Sequence, residues 1–286
     1  MKPYFENVQS HYDLSDDFFA LFLDPTRTYS CAYFENPDAT LEEAQRAKID
    51  LSLGKCALKP GMKLLDIGCG WGATALRAAG RYRAKVIGLT LSENQHRYAA
   101  QLALDAGESG NIEFRLQGWE EFDEPVDRIV SIGAFEHFRN SRHEEFFKRC
   151  HRILPADGIM MLHSIVTPSL ASLRESNIDY CHEDVKFARF IRDEIFPGGQ
   201  LCTPERIKDI AGKNGFDVYR VQPLRLHYAR TLDIWAEELS KSKEQAIAIT
   251  SQTVYDRYQK YLTGCADQFR KGTIDVMQFC MRPVQM

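Results

Sequence analysis

The residues that point most directly to chemistry are the glycines of one short stretch. In LLDIGCGWG, Leu64, Leu65, Asp66 and Ile67 read as an apolar strand carrying one acid, and Gly68, Cys69, Gly70, Trp71 and Gly72 as the turn that follows. Glycine adopts dihedrals closed to other residues, and without a Cβ it lets a ligand lie directly against the backbone. The spacing is GxGxG, not the GxGxxG of a dinucleotide site. The next apolar run ends in Gly88, Leu89, Thr90, Leu91 and Ser92, with no acid at its tip to hold a nicotinamide ribose. No GxxxxGK[ST] phosphate loop occurs either. The eight cysteines form no CxxC pair, which argues against a zinc site and for scattered thiols in a reducing cytoplasm. No metal is expected.

These residues must be positioned by an α/β frame. Short apolar strands at 63–67, 85–89, 112–116, 128–132 and 158–164 alternate with helical patterns at 73–82, 94–106 and 144–153, and further strands are expected at 217–222 and 275–281. Such alternation implies a mostly parallel sheet covered on both faces. Three additions interrupt it. Residues 4–58 carry helical patterns around 16–23 and 41–53, and 228–270 is a long helical stretch. In 167–196, Val185, Ala188, Ile191 and Ile195 are spaced for a helix widened by Phe187, Phe190 and Phe196. The expectation is one domain over 1–286, with an N-terminal cap (1–58), a cofactor-binding core (59–166), a lid (167–200) and the rest of the sheet with its helical insertion (201–286).

At 286 residues, 44% hydrophobic and net charge -4, the chain can bury a sizeable core and lacks the basic balance of a nucleic-acid binder. The apolar run 18–23 is too short to span a bilayer and follows Asp16 and Asp17, so neither a transmembrane helix nor a signal peptide is expected.

The DxGxG turn after a first strand resembles motif I of the class I methyltransferases. The resemblance narrows with NVQSHYDLSDDFFALFLDPTRTYSCAYF, GLTLSENQ, LQGWEEFDEPVDRIVSIGAFEHF, IFPGGQL, HYARTLDIW and YLTGC. Together these look like the cyclopropane-fatty-acid and mycolic acid synthase family, from Pro3 to about Phe279, with the main divergence between Pro168 and Lys186. The resemblance implies a class I Rossmann-like sheet, mostly parallel, with helical N-terminal and lid additions. It implies S-adenosylmethionine as cofactor, contacted by Tyr29, Ser30, Leu64 to Gly72, Thr90, Leu91, Ser92, Gln95, Trp119 and Glu120. The residue types suit this: Trp119 can stack on adenine, Glu120 can accept from its amine, and Thr90 and Gln95 can replace the missing acid. Trp119 as an ordinary core aromatic is the competing reading.

The implied substrate is a long unsaturated acyl chain, on an acyl carrier protein because a free chain is insoluble. Methylating an alkene leaves a carbocation, and ring closure then needs a base. The resemblance supplies a bicarbonate or carbonate ion, held by Cys31, Glu136, His163 and Tyr228 near the Ile132 backbone. Read alone, Glu136 is equally a helix N-terminal acid. Cys265 is a further candidate thiol, read as a small packing residue because methyl transfer needs no covalent enzyme intermediate. Tyr12, Phe18, Phe19, Tyr29, Phe187, Phe190 and Phe196 are candidates for an acyl tunnel or for plain core. Methyl-branched oxygenated products, amine methylation, and lipid binding without catalysis remain the alternatives.

Overall fold

The computed structural model describes residues 15–284. Its centre is a seven-stranded sheet in the order β3-β2-β1-β4-β5-β7-β6. The strands are β1 (Lys63–Ile67), β2 (Lys85–Thr90), β3 (Ile112–Leu116), β4 (Arg128–Ile132), β5 (Ile159–Val166), β6 (Phe216–Pro223) and β7 (Asp275–Pro283). Pairs from β3 to β5 are parallel, and β7 runs antiparallel to both β5 and β6. Strand order reverses between β1 and β4, so the crevice beyond their carboxyl ends is where an open sheet of this kind receives a ligand.

The helices are α1 (Asp16–Ala20), α2 (Leu41–Lys55), α3 (Ala73–Tyr82), α4 (Glu93–Asp105), α5 (His143–Ile153), α6 (Leu170–Glu175), α7 (His182–Phe190), α8 (Pro204–Lys213), α9 (Arg225–Lys241), α10 (Lys243–Ile249) and α11 (Gln252–Lys271). Helix α2 starts at a full capping box, with Thr40 accepting from Glu43 N and the Glu43 carboxylate accepting from Thr40 N. Such a cap stabilises a helix by about 1 kcal/mol. The helix expected over 16–23 is only Asp16–Ala20: the chain turns away where Phe22 and Leu23 must both be buried. Helix α7 passes into a π-helical turn at Ile191–Ile195, a geometry that often marks a working surface.

The three additions share one core. Phe18, Phe19 and Phe22 from the cap, Phe190 and Ile195 from the lid, and Leu232, Trp235, Tyr258 and Leu262 from α9 and α11 form a single cluster. Gly264 lets the lid seat on α11, since a Cβ there would lie 2.2 Å from the Phe187 ring. The Trp71 indole N–H donates to Asp16 (3.0 Å), tying the glycine turn to the cap.

Candidate active site

Two cavities lie at the strand ends. The smaller, about 140 Å³, follows the glycine turn, and the larger, about 460 Å³, runs under the lid. Tyr29, Ser30, Gly133 and His137 line both. That shared wall joins the compartment along the glycine turn to the one under the lid.

In the smaller cavity the structure gathers Tyr29, Ser30, Asp66, Ile67, Gly68, Cys69, Gly70, Trp71, Thr90, Leu91, Gln95, Trp119 and Glu120. The glycines divide the work. A Cβ on Gly68 would meet that of Ala134 at 2.5 Å, and one on Gly72 would meet the Phe114 ring at 2.9 Å, so these two serve packing. Gly70 has φ +54 and nothing within 4 Å of an added Cβ, so its bare face looks into open space that a ligand can fill. Four expected contacts do not reach the cavity. Leu64 and Leu65 point to opposite faces of the sheet and sit in separate hydrophobic clusters, because strand side chains alternate. Gly72 opens α3 against Phe114 and Ala99, and the Ser92 hydroxyl caps α4 by accepting from Gln95 N (3.3 Å).

Polar valences in this cavity are partly used. Thr90 donates to Gln95 Oε1 (2.9 Å), which leaves the Gln95 amide N–H groups for a ligand. Glu120 takes Arg142 on Oε1 (2.7 Å), while its buried Oε2 has no partner. Buried Oδ2 of Asp66 is likewise unpartnered, and burial pushes that carboxyl up to about 7. Trp119 is 5% exposed, edge-on to Phe146 and tilted against Phe138, yet it also lines the cavity. The indole is thus packed as a core aromatic and also borders the space a ligand would take.

Sequence reasoning passed over Lys48, His137, Arg142 and Gln117, which also line this cavity. Lys48 is fully buried, donates to Ser30 Oγ (2.7 Å) and is pushed down to about 8 by desolvation. Its signal was a charge within the stripe Ala44, Lys48, Ile49, Ser52 and Leu53, all of which α2 buries.

The larger cavity brings together Cys31, Glu136, His163 and Tyr228, from a loop, the turn after β4, β5 and α9. Ile132 pairs in register with His163 but lines the smaller cavity. Glu136 sits in a 3-10 turn rather than at a helix start. Its Oε1 accepts from Ile165 N (2.6 Å), its buried Oε2 has no partner, and desolvation lifts the carboxyl to about 7. His163 is 1% exposed, held neutral by desolvation, and its Nε2 is unpartnered. The Cys31 thiol and Tyr228 phenol are pushed up by burial and stay protonated. Two unpartnered buried atoms, His163 Nε2 and Glu136 Oε2, beside two protonated hydrogen-bonding groups suit a small oxyanion that carries a proton.

Cys265 lines the same cavity as a buried thiol raised by desolvation, which makes it an apolar wall and a poor nucleophile. Tyr29, Phe187 and Phe196 line it too, whereas Phe18, Phe19 and Phe190 belong to the cap and lid core. Tyr12 lies outside the described residues. Among the described residues no cluster of three metal-ligating side chains occurs, and no helix is long and apolar enough to cross a membrane.

Comparison with known proteins bears on the family and the fold. A family model described as mycolic acid cyclopropane synthetase matches residues 1–279. Cyclopropane mycolic acid synthase 3 of Mycobacterium tuberculosis is 60% identical over 283 residues, 98% of each chain. The solved cyclopropane synthase MmaA2 of Mycobacterium tuberculosis superposes with a TM-score of 0.96 at 56% identity, over 99% of both chains. Mycolic acid cyclopropane synthase CmaA1, solved with SAH and CTAB, gives 0.96 and 56% over the same shares. The expected class I methyltransferase sheet is the one observed.

Proposed function

The chain belongs to the mycolic acid cyclopropane synthetase family, and from that premise we propose that it is an S-adenosylmethionine-dependent C-methyltransferase that turns a double bond of a long, mycolic-type acyl chain into a cyclopropane ring. The observation that carries this reading is the wall shared by the two cavities. It sets the compartment along the glycine turn directly beside a larger one under the lid, in which Cys31, Glu136, His163 and Tyr228 converge.

S-adenosylmethionine, when bound, supplies an electrophilic methyl on a sulfonium. The Gly70 backbone gives it close approach, Glu120 Oε2 is free to accept from the adenine amine, and Gln95 keeps N–H groups for the ribose or methionine part. Trp119 would flank the adenine. Its loss in Trp119→Ala is expected to weaken cofactor affinity by about 1–2 kcal/mol and, because the indole also packs on Phe138 and Phe146, to lower stability by about 3 kcal/mol. Calorimetry that finds normal affinity in a destabilised variant would assign the residue to the core alone.

Once the alkene has gained a methyl, its neighbouring carbon is cationic and the ring closes by loss of a proton from that methyl. A bicarbonate ion, when bound, would supply the base. His163 Nε2–H would donate to it and Glu136 Oε2 would accept from its hydroxyl, while Cys31 and Tyr228 complete the wall. The faces of Tyr29 and Tyr228 stabilise positive charge, and the apolar lining under the lid keeps out the water that would capture it. The acyl chain is presented on an acyl carrier protein, and the eight free thiols suit a reducing cytoplasm.

The test is mass spectrometry of acyl products after incubation with cofactor and an unsaturated acyl carrier substrate. Gain of CH2 with loss of the double bond is the expected result. An N-methylated product on an amine panel, with untouched lipid, would overturn the reading. A hydroxylated methyl branch would place the enzyme among the family's oxygenating relatives.

A further inference from the structure

Behind His163 runs a hydrogen-bonded chain to which the reaction above assigns no role. Lys55, in the last turn of α2, donates from Nζ to Oε1 of Gln222 (2.7 Å) and to Oε1 of Gln278 (2.5 Å), on β6 and β7. The amide nitrogen of Gln278 faces the other way, 3.0 Å from Ser52 Oγ and 3.1 Å from His163 Nδ1. Ser52 and Gln278 are both fully buried.

Donor and acceptor rules fix every proton along this chain. The Lys55 amine approaches as donor, so the Gln278 atom facing it is the carbonyl oxygen. Ser52 donates its proton to the Lys48 carbonyl (2.8 Å), so its oxygen accepts from Gln278. Two neighbours thus hold the carboxamide with its NH2 toward His163. Nδ1 must then be an acceptor, and a neutral imidazole with a bare Nδ1 carries its proton on Nε2. That Nε2 is the buried atom without a protein partner, on a residue lining the larger cavity.

We propose that Lys55 is a positioning residue: through Gln278 it fixes His163 as the Nε2–H tautomer, and so presents a donor rather than a lone pair to the anion beside the acyl cavity. The role rests on the anion-base reading above. Without Lys55 the Gln278 carbonyl loses its charged donor and Ser52 is the remaining restraint. The Ser52 hydroxyl can turn from the Lys48 carbonyl to donate to the amide oxygen, so the amide can turn over, its oxygen then accepts from Nδ1–H, and the ring shows the anion a lone pair.

The experiment uses histidine-labelled full-length protein without cofactor, as wild type, Lys55→Met and Lys55→Arg. Nitrogen-15 NMR separates protonated from bare ring nitrogens. Wild type and Lys55→Arg are expected to show Nε2–H for His163, and Lys55→Met a substantial Nδ1–H population. In turnover assays, the bicarbonate concentration giving half-maximal rate is expected to rise about tenfold in Lys55→Met and to recover in Lys55→Arg, with cofactor affinity unchanged. An unaltered Nε2–H tautomer in folded Lys55→Met overturns the proposal. A tautomer change in an enzyme whose wild-type rate ignores bicarbonate defeats the anion-base reading instead, and the two failures are told apart by the NMR.

Discussion

A Gly70→Val variant is expected to fold and to lose S-adenosylmethionine binding by 10²-fold or more. The position is left-handed, so a branched side chain strains the backbone by about 1–2 kcal/mol, which a domain of ordinary stability survives. Apart from its chain neighbours, no protein atom lies within 4 Å of the new Cβ, which points the added methyls into ligand space rather than into the fold. A 10²-fold loss is about 2.7 kcal/mol, more than the strain alone accounts for. The control is Gly61→Val. Gly61 has φ +82 and an equally open Cβ but does not line the cavity, so it carries the backbone penalty without the obstruction. Equal affinity in both variants by calorimetry would remove the glycine turn from the cofactor site.

Glu136→Gln is expected to bind cofactor normally and to lose about 10²-fold or more in turnover, the scale of a missing general base. The amide oxygen can keep the bond from Ile165 N, so the turn after β4 survives. What changes is the other oxygen. The unpartnered Oε2 becomes an NH2 group, which exchanges an acceptor for a donor and removes negative charge beside the cation. Wild-type rates in this variant and in bicarbonate-depleted buffer would eliminate the anion as base. If the variant still methylates but releases a hydroxylated or unsaturated branched chain, the site governs the fate of the cation rather than its formation.

The sheet was legible because β1, β2, β4 and β5 are largely apolar runs and β3 and β6 alternate apolar with polar residues, and local patterns fail where partners decide. Strand β5 extends past the expected 164 to Val166 because β7 continues to pair with it, Val166 opposite Asp275. The three helical additions look separate along the chain, and only their shared aromatic cluster shows them to be one roof. The glycine turn is a contiguous string and could be read directly, but contiguity misled at Leu64 and Leu65, which the pleat sends into the core. The residues Cys31, Glu136, His163 and Tyr228 come from four separate segments. No local spacing links them, and family resemblance alone singled them out. Lys55 and Gln278 were invisible for the same reason: an amide and an amine acquire a role only through the protons their neighbours leave them.

The placement of β7 also bears on when the protein becomes competent during synthesis. Strand β5 lies between β4 and β7, and β7 is contributed by residues 275–283, after the whole helical roof. A nascent chain can assemble β1 to β5 as it emerges, but the far edge of β5 then stays bare, a template for pairing with other chains. His163 meets Gln278 only when that gap is filled. Ribosome-bound chains halted before residue 275 should therefore be able to form the glycine turn yet remain prone to aggregation, and catalytic competence should arrive in one late step.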